Sequence, residues 1–172
     1  CKSISERLYV EYAKQRGTPK VVLVRYGNVL ESTGSVIPFF KSLLNNSECE
    51  YIPITDENMT RFLLTLEQAT ELIDWAYGFD SSHGKIAIPK IKSLKITDIA
   101  DVLKKSYGMD SVPLKIIGIR PGEKIHEIMC PKDDSHLTIS FKDHYLIMPS
   151  AGLLIYIRLS LHKRSTWNHN AP

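Results

Sequence analysis

Val21-Val22-Leu23-Val24 is the segment that most restricts how this chain can fold. It is a short, β-branched apolar run without polar alternation. That pattern predicts a strand buried on both faces, as in a parallel sheet. Ahead of it, Ile4, Leu8, Tyr9, Tyr12 and Ala13 recur at helical spacing, and Gly17 is placed to end that helix at the C′ position. A helix feeding a buried strand is half of a βαβ unit, so the chain is read as α/β. One such strand cannot shield itself. The expectation is that its neighbouring strands lie upstream of Cys1, in a longer protein from which this piece derives.

Later segments fit the same class. Ser35 can cap a helix whose apolar stripe is Val36, Ile37, Phe40, Leu43 and Leu44, with Pro38 in its first turn and Asn45-Asn46-Ser47 as its breaker. Thr65-Leu66-Glu67-Gln68 is a capping box, followed on one face by Leu66, Ala69, Leu72, Ile73, Ala76 and Tyr77. Ile86 to Ile88 reads as a strand ended by Pro89. Thr97 is placed to cap a helix through Ile99, Ala100 and Leu103, with Gly108 at its end. Leu114 to Ile117 and His144 to Met148 read as strands, and Glu123 to Met129 as a two-turn helix.

With 172 residues, 43% hydrophobic and 24% charged, the chain has ordinary globular composition, and a net charge of +3 gives no case for a nucleic-acid partner. Cysteines at 1, 49 and 130 lack any zinc-like spacing, and the plain expectation is reduced thiols in a cytoplasmic protein. The apolar stretch Leu153 to Leu161 is interrupted by Arg158 and falls well short of the roughly 20 residues of a membrane span.

Four segments carry groups suited to a phosphorylated ligand. Arg25-Tyr26-Gly27-Asn28-Val29 follows the apolar strand, where open α/β sheets bind ligands. Asn28 offers donor and acceptor atoms there, or simply closes a turn beside Gly27. Gly34 to Phe40 opens a helix whose free N–H groups attract anions, or is only a cap. In Pro53-Ile54-Thr55-Asp56 and Met59-Thr60-Arg61-Phe62, Arg61 has the planar fork that grips phosphate, though a loop arginine is more often solvated. In Arg120-Pro121-Gly122-Glu123, proline and glycine set a turn that can aim both charged residues to one side. Arg120 suits a phosphate and Glu123 suits ribose hydroxyls, a pairing that implies a nucleotide. The expectation is that the guanidinium groups and the Asn28 amide converge on one diphosphate. His126 and Glu127 are read as surface or packing residues of the helix. No metal site is expected, and no G-x-S-x-G turn supports a serine hydrolase.

In order and wording these segments, with Ile119 to Glu127 as the most specific, resemble the substrate-binding half of nucleotide-sugar 4,6-dehydratases. These belong to the extended short-chain dehydrogenase/reductase superfamily, and the resemblance is to its C5-inverting UDP-N-acetylglucosamine 4,6-dehydratases. It runs from Cys1 to about Met148 and includes Pro131 to Leu137. It implies the C-terminal part of an NAD(P)-binding Rossmann fold with a small substrate-binding subdomain over 1–149, followed by a divergent tail over 150–172. By the same resemblance Lys2, otherwise an ordinary surface lysine, is the lysine of a Tyr-x-x-x-Lys pair. There it is catalytic and bonds the cofactor ribose, while the tyrosine position lies upstream of Cys1. Asn28, Val36, Ile37, Pro38, Phe39, Phe40, Thr55, Arg61, Arg120, Pro121, Gly122 and Glu123 are the implied substrate contacts. One departure is Glu31-Ser32-Thr33-Gly34-Ser35, where relatives commonly have Gly-Ser-Arg-Gly-Ser.

The implied whole enzyme oxidises the sugar C4 hydroxyl with NADP (or NAD), eliminates water across C5–C6 and returns the hydride to C6. Its product is a 4-keto-6-deoxy UDP-sugar for surface-glycan synthesis. A UDP-sugar substrate, a homo-oligomeric cytoplasmic enzyme and a cofactor held mainly outside this chain follow from the same resemblance. A 4-epimerase or decarboxylase on the same scaffold, or a non-catalytic nucleotide-sugar-binding remnant, are the alternatives. The chain alone is expected to be inactive. From Ala151 onward the resemblance ends, and Leu153, Ile155, Ile157, Leu159 and Leu161 alternate with a strand-like period.

Overall fold

The structure, a computed structural model, describes residues 2–149, with side chains from Ile4 onward. The alternating tail pattern and the side chain of Lys2 lie outside the described residues. In chain order the elements are α1 (Lys2–Ala13), β1 (Leu23–Val24), β2 (Asn28–Val29), α2 (Val36–Leu44), β3 (Ile52–Ile54), β4 (Thr60–Leu64) and α3 (Leu66–Gly78). Then come β5 (Ile86–Pro89), β6 (Ser93–Lys95), α4 (Ile96–Ser106), β7 (Leu114–Ile116), β8 (Thr138–Ser140) and β9 (His144–Ile147). The chain divides into two units. One takes in the chain up to Arg25, Leu72–Pro89 and the described residues from Cys130; the other is Tyr26–Glu71 with Lys90–Met129.

The first unit is built on the sheet β1-β5-β9-β8, in which β1 and β5 are parallel and the remaining pairs antiparallel. Strand β5 is buried along its length, and Leu72, Ala76, Ala87, Leu146 and Met148 form the core, with Val22 and Val24 packed against it. Burial of Leu72, Leu146 and Met148 contributes about 1.5–3 kcal/mol each, and of the alanines less. His83 ties the start of this sheet to α1. Its Nδ1 accepts the Val21 N–H at 3.1 Å, so Nε2 carries the proton of the neutral ring and donates to the Ala13 carbonyl at 2.8 Å.

Four expectations need correction here. Val21 to Val24 is half-buried, because β1 has a strand neighbour on one side only among the described residues. The apolar positions of α1 point largely to solvent, with Ile4 66% and Leu8 65% exposed; of the predicted stripe only Ala13 is buried. Gly17 has the expected positive φ of 77°, but the helix already ends at Ala13, where the Lys14 and Gln15 N–H groups bond back three residues. The predicted face of α3 splits likewise: Ala69, Leu72 and Ala76 are buried, while Leu66, Ile73 and Tyr77 are exposed.

The second unit holds two small sheets, β2-β4-β6 and β3-β7. Its core is Phe40, Leu44, Ile52, Ile54, Met59, Ile96, Ile99, Ala100 and Val112. Gly27 precedes β2 because nothing larger fits: a Cβ there would lie 2.1 Å from the Phe62 carbonyl oxygen of β4. The capping box forms as read, with the Thr65 N–H bonding Gln68 Oε1 at 2.9 Å and the Gln68 N–H bonding Thr65 Oγ1 at 3.1 Å. Gly108, at φ 67°, follows the end of α4.

Strands β3 and β4 are additional to the sequence reading: Thr60–Leu64 has no apolar alternation, and Pro53 interrupts β3. A proline is tolerated there since β3 belongs to a two-stranded sheet and has a free edge. Thr97 is not the cap of α4. Ser93–Lys95 pairs with β4 and the chain passes directly into the helix, Lys95 taking the N-cap position and the Ile96 N–H bonding the Met59 carbonyl. No helix forms over 123–129. That segment instead lies along β4, where the Thr60 N–H bonds the Ile125 carbonyl at 3.0 Å.

Candidate functional site

A cavity of about 440 Å³ opens within the second unit. Its walls come from the end of β2 (Asn28, Val29), the start of α2 (Gly34 to Ile37, Phe39, Phe40), β3 and its following loop (Pro53, Ile54, Thr55, Met59), β4 (Arg61, Leu63), Ile96, Ile117, Arg120 and Glu123. Apolar residues make the floor and a few polar groups converge on it, as in small-molecule sites generally. Two of those polar groups are informative. Asn28 Oδ1 and Ser35 Oγ are both buried and have no hydrogen-bond partner. Leaving such an atom unpaired costs about 1–3 kcal/mol, so two on one cavity wall point to groups that a ligand completes. Ser35 does sit at the N-cap of α2, but its hydroxyl caps nothing. It is a candidate ligand contact instead, a correction to its reading as a cap.

Arg120-Pro121-Gly122-Glu123 forms a turn closed by the Glu123 N–H on the Arg120 carbonyl at 3.0 Å. Gly122 supplies the positive φ of 81° that the third turn position needs after proline. The turn is closed a second time by the Arg120 N–H, which donates to Glu123 Oε2 at 3.2 Å. Both charged residues line the cavity, as the turn chemistry predicts. Arg61 reaches the same wall. Its Nη1 donates to the carbonyls of Thr60 at 2.8 Å and Ile125 at 3.1 Å, and Glu123 and Glu127 stand 3.7 and 3.8 Å from its Nη2 and Nε.

Asn28, Val36, Ile37, Phe39, Phe40, Thr55, Arg61, Arg120 and Glu123 are thus brought together on one cavity. Pro38, Pro121 and Gly122 do not line it; they shape the backbone that carries residues that do. Arg25 is not among the lining residues either. Its Nε donates to Glu6 Oε2 at 2.7 Å, with Asp134 4.0 Å away, and the Glu6 carboxylate raises its pKa above the ordinary value. The convergence of guanidinium groups is therefore of Arg61 and Arg120 alone. His126 and Glu127 are exposed surface residues as read, but on no helix: His126 Nδ1 is 2.9 Å from Thr60 Oγ1, and Glu127 faces Arg61. Leu63, Ile96 and Ile117 also line the cavity without a sequence sign of it, because an apolar wall residue has the same sequence signature as a core residue.

The chain matches the family described as polysaccharide biosynthesis protein over residues 1–149. It belongs to that family. The chain is 45% identical over 152 residues to the UDP-N-acetylglucosamine 4,6-dehydratase (inverting) of Campylobacter jejuni, covering 87% of this chain and 43% of that protein. It is 32% identical over 149 residues to the UDP-glucose 4-epimerase of Rickettsia conorii, covering 85% and 42%. The chain therefore spans less than half the length of these curated relatives. Among solved structures, Pen from Bacillus thuringiensis superposes with a TM-score of 0.78 at 31% identity, covering 87% of this chain and 46% of that one. The UDP-N-acetylglucosamine 4-epimerase from Methanobrevibacter ruminantium, solved with UDP-N-acetylmuramic acid, superposes at 0.61 with 22% identity, covering 83% and 46%, a likeness of fold alone. This polysaccharide biosynthesis family member is accordingly α/β, matching part of a Rossmann-type extended short-chain dehydrogenase/reductase. Among its described residues no helix is long and apolar enough to cross a membrane.

Proposed function

We propose that the second unit binds the UDP portion of a UDP-N-acetylhexosamine, and that the protein acts as a C5-inverting UDP-N-acetylglucosamine 4,6-dehydratase in surface-polysaccharide synthesis. The observation that carries this reading is the pair of unpartnered buried atoms, Asn28 Oδ1 and Ser35 Oγ, on the cavity that Arg120 and Glu123 also line. The chemistry sorts these groups. Asn28 Oδ1 is an acceptor and takes a ligand hydroxyl. Ser35 Oγ and Arg120 donate to phosphate oxygens, and Glu123 accepts from ribose hydroxyls. Phe39 and Phe40 offer apolar area to the base.

The family membership and the resemblance around Lys2 support a nicotinamide cofactor, NADP or NAD, with Lys2 as the lysine of the catalytic pair. The described residues include no glycine-rich loop for a dinucleotide. In this reading the cofactor is held mainly by parts of the enzyme beyond the matched region, the chain alone does not turn over, and the whole enzyme is a cytoplasmic homo-oligomer. A second reading, a nucleotide-sugar 4-epimerase on the same scaffold, is supported by the similarity to a UDP-glucose 4-epimerase. Analysis of the sugar product separates the two.

Calorimetric titration of the chain tests the binding claim. UDP and UDP-N-acetylglucosamine are expected to bind, uridine far more weakly. Arg120→Ala is expected to weaken UDP by about 10- to 100-fold, the loss of a charged hydrogen bond. Equal affinity for UDP and uridine, or unchanged UDP affinity in Arg120→Ala, sinks the reading.

A further inference from the structure

Arg61 is anchored by one nitrogen. Nη1 bonds two backbone carbonyls, whereas Nε and Nη2 make no hydrogen bond among the described residues. Those two nitrogens form the side of the guanidinium whose parallel N–H groups fit a phosphate. The acids facing that side stand beyond hydrogen-bonding distance, Glu123 at 3.7 Å and Glu127 at 3.8 Å. Their situations differ. Glu123 lines the cavity and its other oxygen holds the Arg120 turn. Glu127 does not line the cavity, and its carboxylate makes no hydrogen bond among the described residues. It acts on Arg61 through charge alone.

The Arg61 side chain is 13% exposed, so water screens it poorly, and a cation there without a counter-charge is costly. An incoming diphosphate meets Arg61 already partly neutralised, and it meets a carboxylate of its own sign 3.8 Å from Arg61 Nε. We infer that Glu127 is an affinity-lowering residue: it keeps Arg61 compensated while the cavity is empty and weakens the hold on the diphosphate, favouring release. The inference rests on the nucleotide reading of this cavity. Its sign is opposite to that of a ligand contact or a structural support, whose loss would weaken binding.

Titration of UDP and uridine into the full chain, Glu127→Gln, Glu127→Ala and Glu127→Asp decides the matter, with thermal melting of each to establish folding. Glu127→Gln keeps the shape and removes the charge. It is expected to bind UDP about threefold to tenfold tighter, a like-charge effect at several ångströms in a partly screened site, and the gain should shrink at high salt. Glu127→Ala is expected to show the same gain and Glu127→Asp the wild-type affinity, with uridine unaffected throughout. Unchanged or weaker UDP binding in the folded Gln and Ala variants overturns the inference alone. A wild-type chain that binds no UDP overturns the nucleotide reading, and this inference with it.

Discussion

Both units expose large apolar side chains, but among the described residues only the second buries polar atoms that lack partners. Ile4, Leu8, Tyr9 and Tyr12 on α1, with Ile73 and Tyr77 on α3, stand exposed in the first unit, and β1 has a single strand neighbour among the described residues. The second unit exposes more such side chains, Ile116, Ile117, Ile119 and Ile128 among them, but both buried, unpartnered polar atoms among the described residues fall there, as does the side of Arg61 that makes no hydrogen bond. Uncovered apolar surface calls for protein packing, since burial is its only reward. Buried polar atoms without partners call for a ligand that carries complementary donors and acceptors. The contrast marks the second unit as the one whose buried polar groups suit a small molecule.

The largest effect expected is from Gly27→Ala. Its new Cβ would meet the Phe62 backbone at 2.1 Å, and backbone cannot swing aside as a side chain can. A loss on the order of 4 kcal/mol or more in chemical denaturation is expected, together with loss of UDP binding, since Asn28 is carried by the adjoining strand. A near-neutral Gly27→Ala would show that the second unit is not held as described.

Leu146→Ala and Ile52→Ala sharpen the comparison, because both residues are 0% exposed but each belongs to a different core. Each is expected to cost about 3 kcal/mol. Under conditions where both variants stay folded, Leu146→Ala should leave UDP affinity unchanged, whereas Ile52→Ala, which is flanked by the cavity wall at Pro53 and Ile54, should weaken it severalfold. Equal effects on UDP affinity would erase the distinction between the units.

The smallest effect concerns Glu31, which takes a positive φ of 60° between β2 and α2 and is paired with Lys41. The Lys41 ammonium holds the Glu31 carboxyl below its ordinary 4.5, and Glu31 raises Lys41 above its ordinary 10.5. A depressed acid contributes stability that is complete above its unfolded value and lost as pH falls through the folded one. A raised base contributes below its unfolded value and loses it as pH rises through the folded one. The pair therefore contributes most between those limits. Both groups are solvent-exposed, so the melting temperature of Glu31→Gln should depart from wild type only slightly, and the gap should close on acidification. A gap that persists at low pH would assign the effect to the strained backbone instead.

Much of the fold was legible where neighbours in sequence are also neighbours in space. The Thr65–Gln68 box, the breaker after Leu44 and Gly108 all act within a few residues, and each formed as read. Thr97 was misread as a cap because β6, paired with β4, runs directly into α4, and 123–129 was misread as a helix because its Ile125 carbonyl is taken by the Thr60 N–H and Arg61. On the site, the cavity collects most of the residues that the motifs singled out, whereas Ser35, Arg25 and Glu127 changed their places once partners were visible.

The amino-acid order by itself determined the α/β class, the Arg120 to Glu123 turn and the residue types that suit a nucleotide, because those depend on backbone preference and contacts within a turn. Tertiary structure alone decided which polar atoms are left without partners and which carboxylates face Arg61. Glu127 lies far from Arg61 along the chain, and hydrogen-bond satisfaction is a property of what surrounds an atom in space rather than of the residues beside it in sequence.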